Sequence, residues 1–150
     1  MSEATAVYTQ KVLEIAGQLH ADKRLAAPDA TARKVSRVCG SRVEVDLKVA
    51  EGVVTDYGHM VDACALGQTS ASVVEHNVVG ASEDEVRLAH AQLTAMLKAD
   101  GPPPTGRFRD LGVLESVRDY TPRHKSILLV FEALLDCFDQ IRLNREGAAG

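Results

Sequence analysis

Two cysteines lie where predicted structural elements begin or end, and their thiols could act as nucleophiles or as metal ligands. Cys39 falls with Gly40 at a predicted turn between strands, and Cys64 falls at or just before the predicted start of a helix. Free amide protons and the positive end of the helix dipole would stabilise a thiolate at Cys64. Zinc ribbons and fingers use close cysteine pairs, so the wide spacing of Cys39 and Cys64 does not by itself indicate a metal site. The alternative at each position is a buried cysteine that only packs in the core.

Two histidines could complete a metal site with these cysteines. His59 lies shortly before Cys64 in the sequence, and His124 lies at the predicted start of the last helix. A neutral imidazole is a competent ligand for iron or zinc, and a surface or hydrogen-bonded histidine is the plain alternative. The third cysteine, Cys137, falls in an apolar stretch of the last helix and is predicted to belong to the core. No role is assigned to the other histidines, His20, His76 and His90.

Composition bounds the classes of protein to which the chain can belong. It has 150 residues, of which 45% are hydrophobic, and 17 basic against 21 acidic residues. A chain of this length can bury its own core as one domain. An odd count of three cysteines, with no basic stretch followed by an apolar run at the start, predicts a cytoplasmic protein. No apolar run approaches the ~20 residues of a membrane helix. The basic residues form no stripe along the sequence, which argues against nucleic acid as the main ligand.

The first half of the chain predicts a helix followed by a small sheet. Apolar residues recur at helical spacing over Tyr8–His20. Apolar and charged residues then alternate strictly over Val43–Val49, which is typical of a strand with one buried face. Neighbouring segments at Lys34–Val38 and Val53–Tyr57 can pair with it through short turns. We therefore expect a three-stranded antiparallel meander.

The second half predicts a run of helices. One helix is expected from about Cys64 to Val79, and a second begins at Ser82, where Glu85 completes a capping box. A short helical piece is expected over Arg109–Val117. Thr121, followed by proline, predicts the start of a long last helix with an apolar stripe.

The order of these elements indicates one domain of the α+β class. An N-terminal helix, three strands and then a cluster of helices on one face fit that class, and no internal repeat or second zone of composition is visible. We expect a single domain over residues 1–143. The small and polar residues 144–150 are expected to form a flexible tail.

The chain resembles the U-type iron–sulfur cluster assembly scaffolds, the group that comprises the NifU N-terminal domain, IscU and SufU. The likeness is carried by Val38–Gly40 in the first hairpin, by the alternating strand after it, and by the small-residue run Ala63–Ser72 that opens a helix. It extends from the first helix to about Phe138. Lys125 and the proline-containing loop Pro102–Gly106 look closer to SufU than to IscU, which carries a histidine at the position of Lys125.

The resemblance implies a ligand set. In that family a Cys-Gly-Asp turn, a cysteine at a helix start and a third cysteine near the start of the last helix surround one site for iron and sulfide, or for zinc. Here the aspartate position holds Ser41 and the third cysteine position holds Ser126, so Cys39 and Cys64 remain. A hydroxyl replaces a thiolate or carboxylate poorly, so one subunit should hold metal loosely. Four cluster ligands would require sharing across a homodimer.

Three functions remain open from the sequence. The first, which the placement of both cysteines at element ends favours, is a scaffold that transiently binds iron, an iron–sulfur cluster or zinc through Cys39 and Cys64. The second is a sulfur acceptor that takes a persulfide on Cys64 from a cysteine desulfurase, with His59 or His124 as base. The third is an interaction module that binds no cofactor. The resemblance implies cysteine desulfurase and iron–sulfur acceptor proteins as partners.

Overall fold

The fold is α+β, as predicted, and a computed structural model describes it over residues 9–38 and 40–149. The elements are, in chain order, α1 (Gln10–Gly17), β1 (Asp22–Lys23), β2 (Ala30–Val35), β3 (Arg42–Ala50), β4 (Val53–Asp62), α2 (Ala65–Asn77), α3 (Glu83–Lys98), two 3-10 helices (Gly106–Val117 and Thr121–Arg123) and α4 (His124–Ala149). Tyr8, where the first helix was expected to begin, lies outside the described residues.

The sheet has four antiparallel strands in the order β1-β4-β3-β2, so the prediction of three strands is wrong. The added strand, β1, is a two-residue edge strand in which Asp22 pairs with Met60 and Lys23 pairs with His59. A strand of two residues is too short to show an alternation of apolar and polar residues, so no pattern in the sequence could indicate β1. β4 is longer than predicted because its second half also pairs with β3, as far as Asp62 opposite Arg42.

The strand β2 begins and ends earlier than predicted. Its buried residues, Ala30 and Ala32, have small side chains, and alanine is a weak strand former, so the alternation there gave no clear signal. The strand ends at Val35, which pairs with Arg42 of β3. Ser36 and Gly40 therefore lie in the connection from β2 to β3, and Gly40 has a φ of 73°.

Helix α4 packs across β2 and β3 and forms the centre of the core. The alternate residues of β3 that were predicted to be buried are buried, and they are Val43, Val45, Leu47 and Val49. Cys137 of α4 is fully buried and its thiol donates to the carbonyl of Val45 at 3.4 Å. Burial raises the pKa of this thiol to about 12, so Cys137 is an inert core residue, as expected.

The helical half is confirmed in outline, with two changes of bounds. The capping box joins the Ser82 hydroxyl to the Glu85 amide at 3.2 Å and the Glu85 carboxylate to the Ser82 amide at 3.3 Å. The expected short helical piece is a 3-10 helix that starts earlier, at Gly106. Helix α4 continues to Ala149, so residues 144–149 of the expected tail are helical, and Arg145 reaches the carbonyl of Val49 at 3.0 Å.

No helix within the described residues is both long and apolar enough to cross a membrane.

Candidate functional site

Three element ends meet at one place in the fold. Cys64 is the N-cap residue of α2, Ser126 lies in the first turn of α4, and Ser41 directly precedes β3. The Cys64 Sγ lies 3.5 Å from the Ser126 Oγ, and the Ser126 Oγ lies 2.9 Å from the Ser41 Oγ. The structure thus brings together three of the four positions that the resemblance assigned to ligands. Cys39, the fourth, lies outside the described residues.

The three side chains differ in their access to solvent. Ser41 and Ser126 are buried, whereas Cys64 is partly exposed. Because the Cys64 side chain makes no capping hydrogen bond to its helix, the amides of the first turn of α2 are free to stabilise negative charge nearby. The site is therefore a partly open thiol backed by two buried hydroxyls.

Small residues allow α2 and α4 to approach each other closely at the site. A Cβ atom on Gly67 would lie only 2.5 Å from the Ser126 Oγ and 2.9 Å from the Ala63 Cβ. One turn further along α2, the Ser70 hydroxyl donates to the carbonyl of Ile127 at 2.7 Å. The role of Gly67 and Ser70 was missed from the sequence. The signal that could have found them is the run of small residues at helical spacing in α2.

The close approach at Gly67 predicts a cost for an added methyl group. We expect Gly67→Ala to lower the free energy of unfolding by about 1–3 kcal/mol, because Ser126 and its backbone must shift to accommodate it. Chemical denaturation monitored by circular dichroism measures this. Gly147→Ala is the matched control, since a Cβ there meets no atom within 4 Å and alanine favours helix. Equal effects at both positions would contradict the packing argument.

His59 is buried away from solvent and uses both ring nitrogens. Its Nδ1 lies 2.7 Å from the Tyr57 hydroxyl, and its Nε2 lies 2.8 Å from the carbonyl oxygen of His20. Burial lowers the pKa of His59, which keeps the ring neutral. A metal ion could bind this imidazole only by displacing one of these two partners.

His124 is the first residue of α4 and is also buried. Its Nε2 lies 2.6 Å from the carbonyl oxygen of Arg118, so Nε2 carries the proton and Nδ1 holds the lone pair. The helix places the ring two residues before Ser126. As a ligand, His124 could therefore contribute only Nδ1.

The chain is similar to proteins of known structure and to a curated scaffold protein. No family model matches the chain. It is similar to the N-terminal part of a NifU-like protein from Brucella abortus, with 50% identity and a TM-score of 0.90 over 94% of this chain and 98% of that chain. It is also similar to the iron–sulfur cluster assembly scaffold protein IscU of Thermotoga maritima, at 23% identity over 69% of this chain and 72% of that protein.

A second solved structure shares the fold at lower identity. It is a putative SufU scaffold protein for the SUF system from Fervidobacterium islandicum AW-1, which is 15% identical. Its TM-score is 0.79, and the match covers 87% of this chain and 96% of that chain. The architecture is thus retained where little sequence identity remains.

Proposed function

The chain belongs to the NifU-like family of U-type scaffold proteins, and on that premise we propose that it transiently holds an iron–sulfur cluster, iron or zinc through Cys39 and Cys64. The observation that carries the proposal is the meeting of Cys64, Ser41 and Ser126 at one partly open site. These are the positions that, by resemblance, surround the site of the family. Cys39 is two positions before Ser41 in the sequence, which supports its inclusion.

The donor set explains why the cargo would be held transiently. Thiolates are the preferred ligands of iron–sulfur clusters and bind zinc well. Two buried serine hydroxyls that bond to each other offer no negative charge, so the anionic ligands that one chain would bring to this site are the thiolates of Cys39 and Cys64. Two chains related by a twofold axis would supply four thiolates to one cluster. We therefore propose a homodimer as the cluster-bound form.

The proposal is tested by anaerobic reconstitution with iron and sulfide. We expect the natural protein to gain colour, iron and sulfide and to elute as a dimer. Cys39→Ser or Cys64→Ser should abolish this, because each removes one of the two thiolates of each chain. Cys137→Ala is the matched control, since that buried thiol bonds to Val45 and should not contribute. A colourless monomer, or a cluster that survives loss of both cysteines, would sink the proposal.

A second candidate function rests on the exposure of Cys64 at the start of α2. A Cys64 thiolate would attack the outer sulfur of a persulfide on a cysteine desulfurase. The new bond joins Cys64 to that sulfur, the old sulfur–sulfur bond breaks, and the desulfurase thiolate leaves, so the step needs no external oxidant. Incubation with desulfurase and cysteine should then add the mass of one sulfur atom to Cys64. No modification, or modification of Cys137 instead, excludes this role.

Partners and location follow from the same proposal. A scaffold of this kind works between a cysteine desulfurase and proteins that receive the cluster. A centre held by free thiols requires a reducing compartment, so we place the protein in the cytoplasm. The alternative is an interaction module that retains the fold and binds no cofactor. Such a protein would still bind its partners after loss of Cys39 and Cys64, which a pull-down with the doubly substituted chain would show.

A further inference from the structure

Two histidines and a glutamate meet at the end of α2 that is remote from Cys64. Glu75 and His76 lie in the last turn of α2, and His20 lies in the connection between α1 and β1. One potential ligand atom from each of the three side chains lies within 4.8 Å of the other two. The helix separates them from Cys64 by about 16 Å, at 1.5 Å per residue. This cluster is therefore distinct from the cysteine site.

The carboxylate of Glu75 is held in a fixed position. Its Oε1 accepts a hydrogen bond from the backbone amide of His20 at 3.0 Å, and its Oε2 lies 3.1 Å from the His20 Nδ1. Only 11% of the Glu75 side chain is exposed. A carboxylate that is mostly shielded from water and faces imidazoles is a suitable anchor for a cation.

The backbone at His20 is also fixed. The carbonyl of His20 accepts from the Nε2 of His59, which is itself buried in β4. The next carbonyl, that of Ala21, accepts from the amide of Val61 at 2.7 Å. The connection is therefore attached to the edge of the sheet, so His20 and Glu75 keep their relative position without a bound ion.

The His76 ring lies beside the carboxylate. Its Nδ1 is 3.9 Å from the Glu75 Oε1 and 2.8 Å from the carbonyl oxygen of Ser72, so the ring must give up that backbone hydrogen bond or turn to offer a lone pair to an ion. The His20 and His76 ring centroids lie 6.2 Å apart. The side chains of His20 and His76 are 63% and 43% exposed, so both can turn onto an ion while Glu75 stays in place.

From this arrangement we propose that His20, Glu75 and His76 form a second metal site, which takes a divalent transition-metal ion of the Zn²⁺ type. Two imidazole nitrogens and one carboxylate oxygen are a zinc donor set that leaves one position for water. Bonds of about 2.0–2.1 Å in tetrahedral geometry place ligand atoms about 3.3 Å apart. The 3.1 Å between the His20 Nδ1 and the Glu75 Oε2 is close to that spacing. Hard cations such as Mg²⁺ prefer oxygen-only sites and fit this set poorly.

The test uses the full chain without an affinity tag and with Cys39→Ser and Cys64→Ser, so that the cysteine site cannot contribute. Titration calorimetry with Zn²⁺ should show one ion per chain. His20→Ala or His76→Ala should weaken binding by more than about tenfold, and the pair together should abolish it. His90→Ala, which removes a histidine outside the cluster, should leave affinity unchanged.

Cobalt distinguishes this site from the cysteine site in the natural protein. Co²⁺ bound by histidine and carboxylate gives visible absorption without the intense near-ultraviolet bands of thiolate ligation. Loss of those visible bands in His20→Ala/His76→Ala, with thiolate bands unaffected, would support two independent sites. Absence of Zn²⁺ binding in the cysteine-free chain, or binding indifferent to both histidines, would reduce the cluster to an ion pair at a helix end. Circular dichroism of metal-free variants checks that each is folded.

Discussion

Ser41→Asp and Ser126→Cys together are expected to raise the affinity of one chain for Zn²⁺ by at least about a hundredfold. A four-ligand structural zinc site binds with about 10–16 kcal/mol, so two restored anionic ligands account for several kcal/mol. The Ser126 Oγ already lies 3.5 Å from the Cys64 Sγ, and two thiolates on one zinc lie about 3.8 Å apart. The cysteine site of the double variant should therefore carry nearly stoichiometric zinc or iron as purified, whereas the same site of the natural protein carries little.

Competition with a chromophoric chelator measures this affinity, and elemental analysis measures the content. The comparison is made with His20→Ala and His76→Ala in both proteins, so that the remote cluster adds nothing. Ser116→Cys is the matched control, because it adds a thiol at an exposed position outside the site. Equal metal content in the proteins with and without these two substitutions would contradict the prediction. It would mean that another residue, such as a histidine, already supplies the ligands that Ser41 and Ser126 lack.

Asp46→Asn is expected to lower the free energy of unfolding by about 3 kcal/mol. Asp46 is only 1% exposed, and its carboxylate bonds to the Arg24 guanidinium at 2.6 and 2.8 Å. It also accepts from the Leu25 amide at 3.1 Å and from the Thr31 hydroxyl at 2.7 Å. Breaking a buried pair costs about 3–5 kcal/mol. Since the Arg24 side chain is 38% exposed and can hydrogen-bond to water once the pair is broken, we expect a cost at the lower end of that range.

The same carboxylate predicts a pH dependence of stability. The hydrogen bond from Arg24, helped by Thr31 and Leu25, outweighs desolvation and lowers the pKa of Asp46 from 3.8 to about 2. The folded pKa lies below the unfolded one, so the stabilisation is present above pH 4 and is lost as the pH falls towards 2. It amounts to about 2 kcal/mol.

Urea unfolding of the natural protein and of Asp46→Asn between pH 2 and 7 separates this contribution from general acid denaturation. The variant should lose less stability on acidification by about 2 kcal/mol, because it lacks the titrating group. Asp56→Asn, at an exposed position in β4, should retain the natural slope. Identical slopes for all three proteins would show that Asp46 contributes nothing specific.

Local patterns predicted the elements that have strong local signals. The alternation in β3 and the capping box at Ser82 both depend on residues close in sequence, and both were found. Cys64 was expected at or just before a helix start and is the N-cap of α2. Tertiary contacts decided the rest. The two residues of β1 are a strand only because β4 lies beside them, and the last turns of α4 were missed because their polar sequence has no apolar stripe.

The candidate site was predictable in part, and through resemblance more than through pattern. No periodicity relates Ser41 to Ser126, which are far apart in sequence and are joined at 2.9 Å by the fold. The cluster at His20 and Glu75 gave no signal at all, because its members lie on separate elements and histidine is common on surfaces. Contacts between distant segments depend on the packing of α1, α2 and α4, which single-sequence reasoning does not supply.

The paired hydroxyls of Ser41 and Ser126 have a consequence for how the protein survives without its cargo. In a pocket lined by several thiolates and a carboxylate, these negative charges repel each other when no metal is bound. Such a domain depends on metal to remain folded. Here two neutral groups form a hydrogen bond with each other, so an iron-starved or chelator-treated chain should remain folded, and bound cargo adds only its own binding free energy to the stability. Loss of cargo would then leave an intact protein, ready for another round of loading.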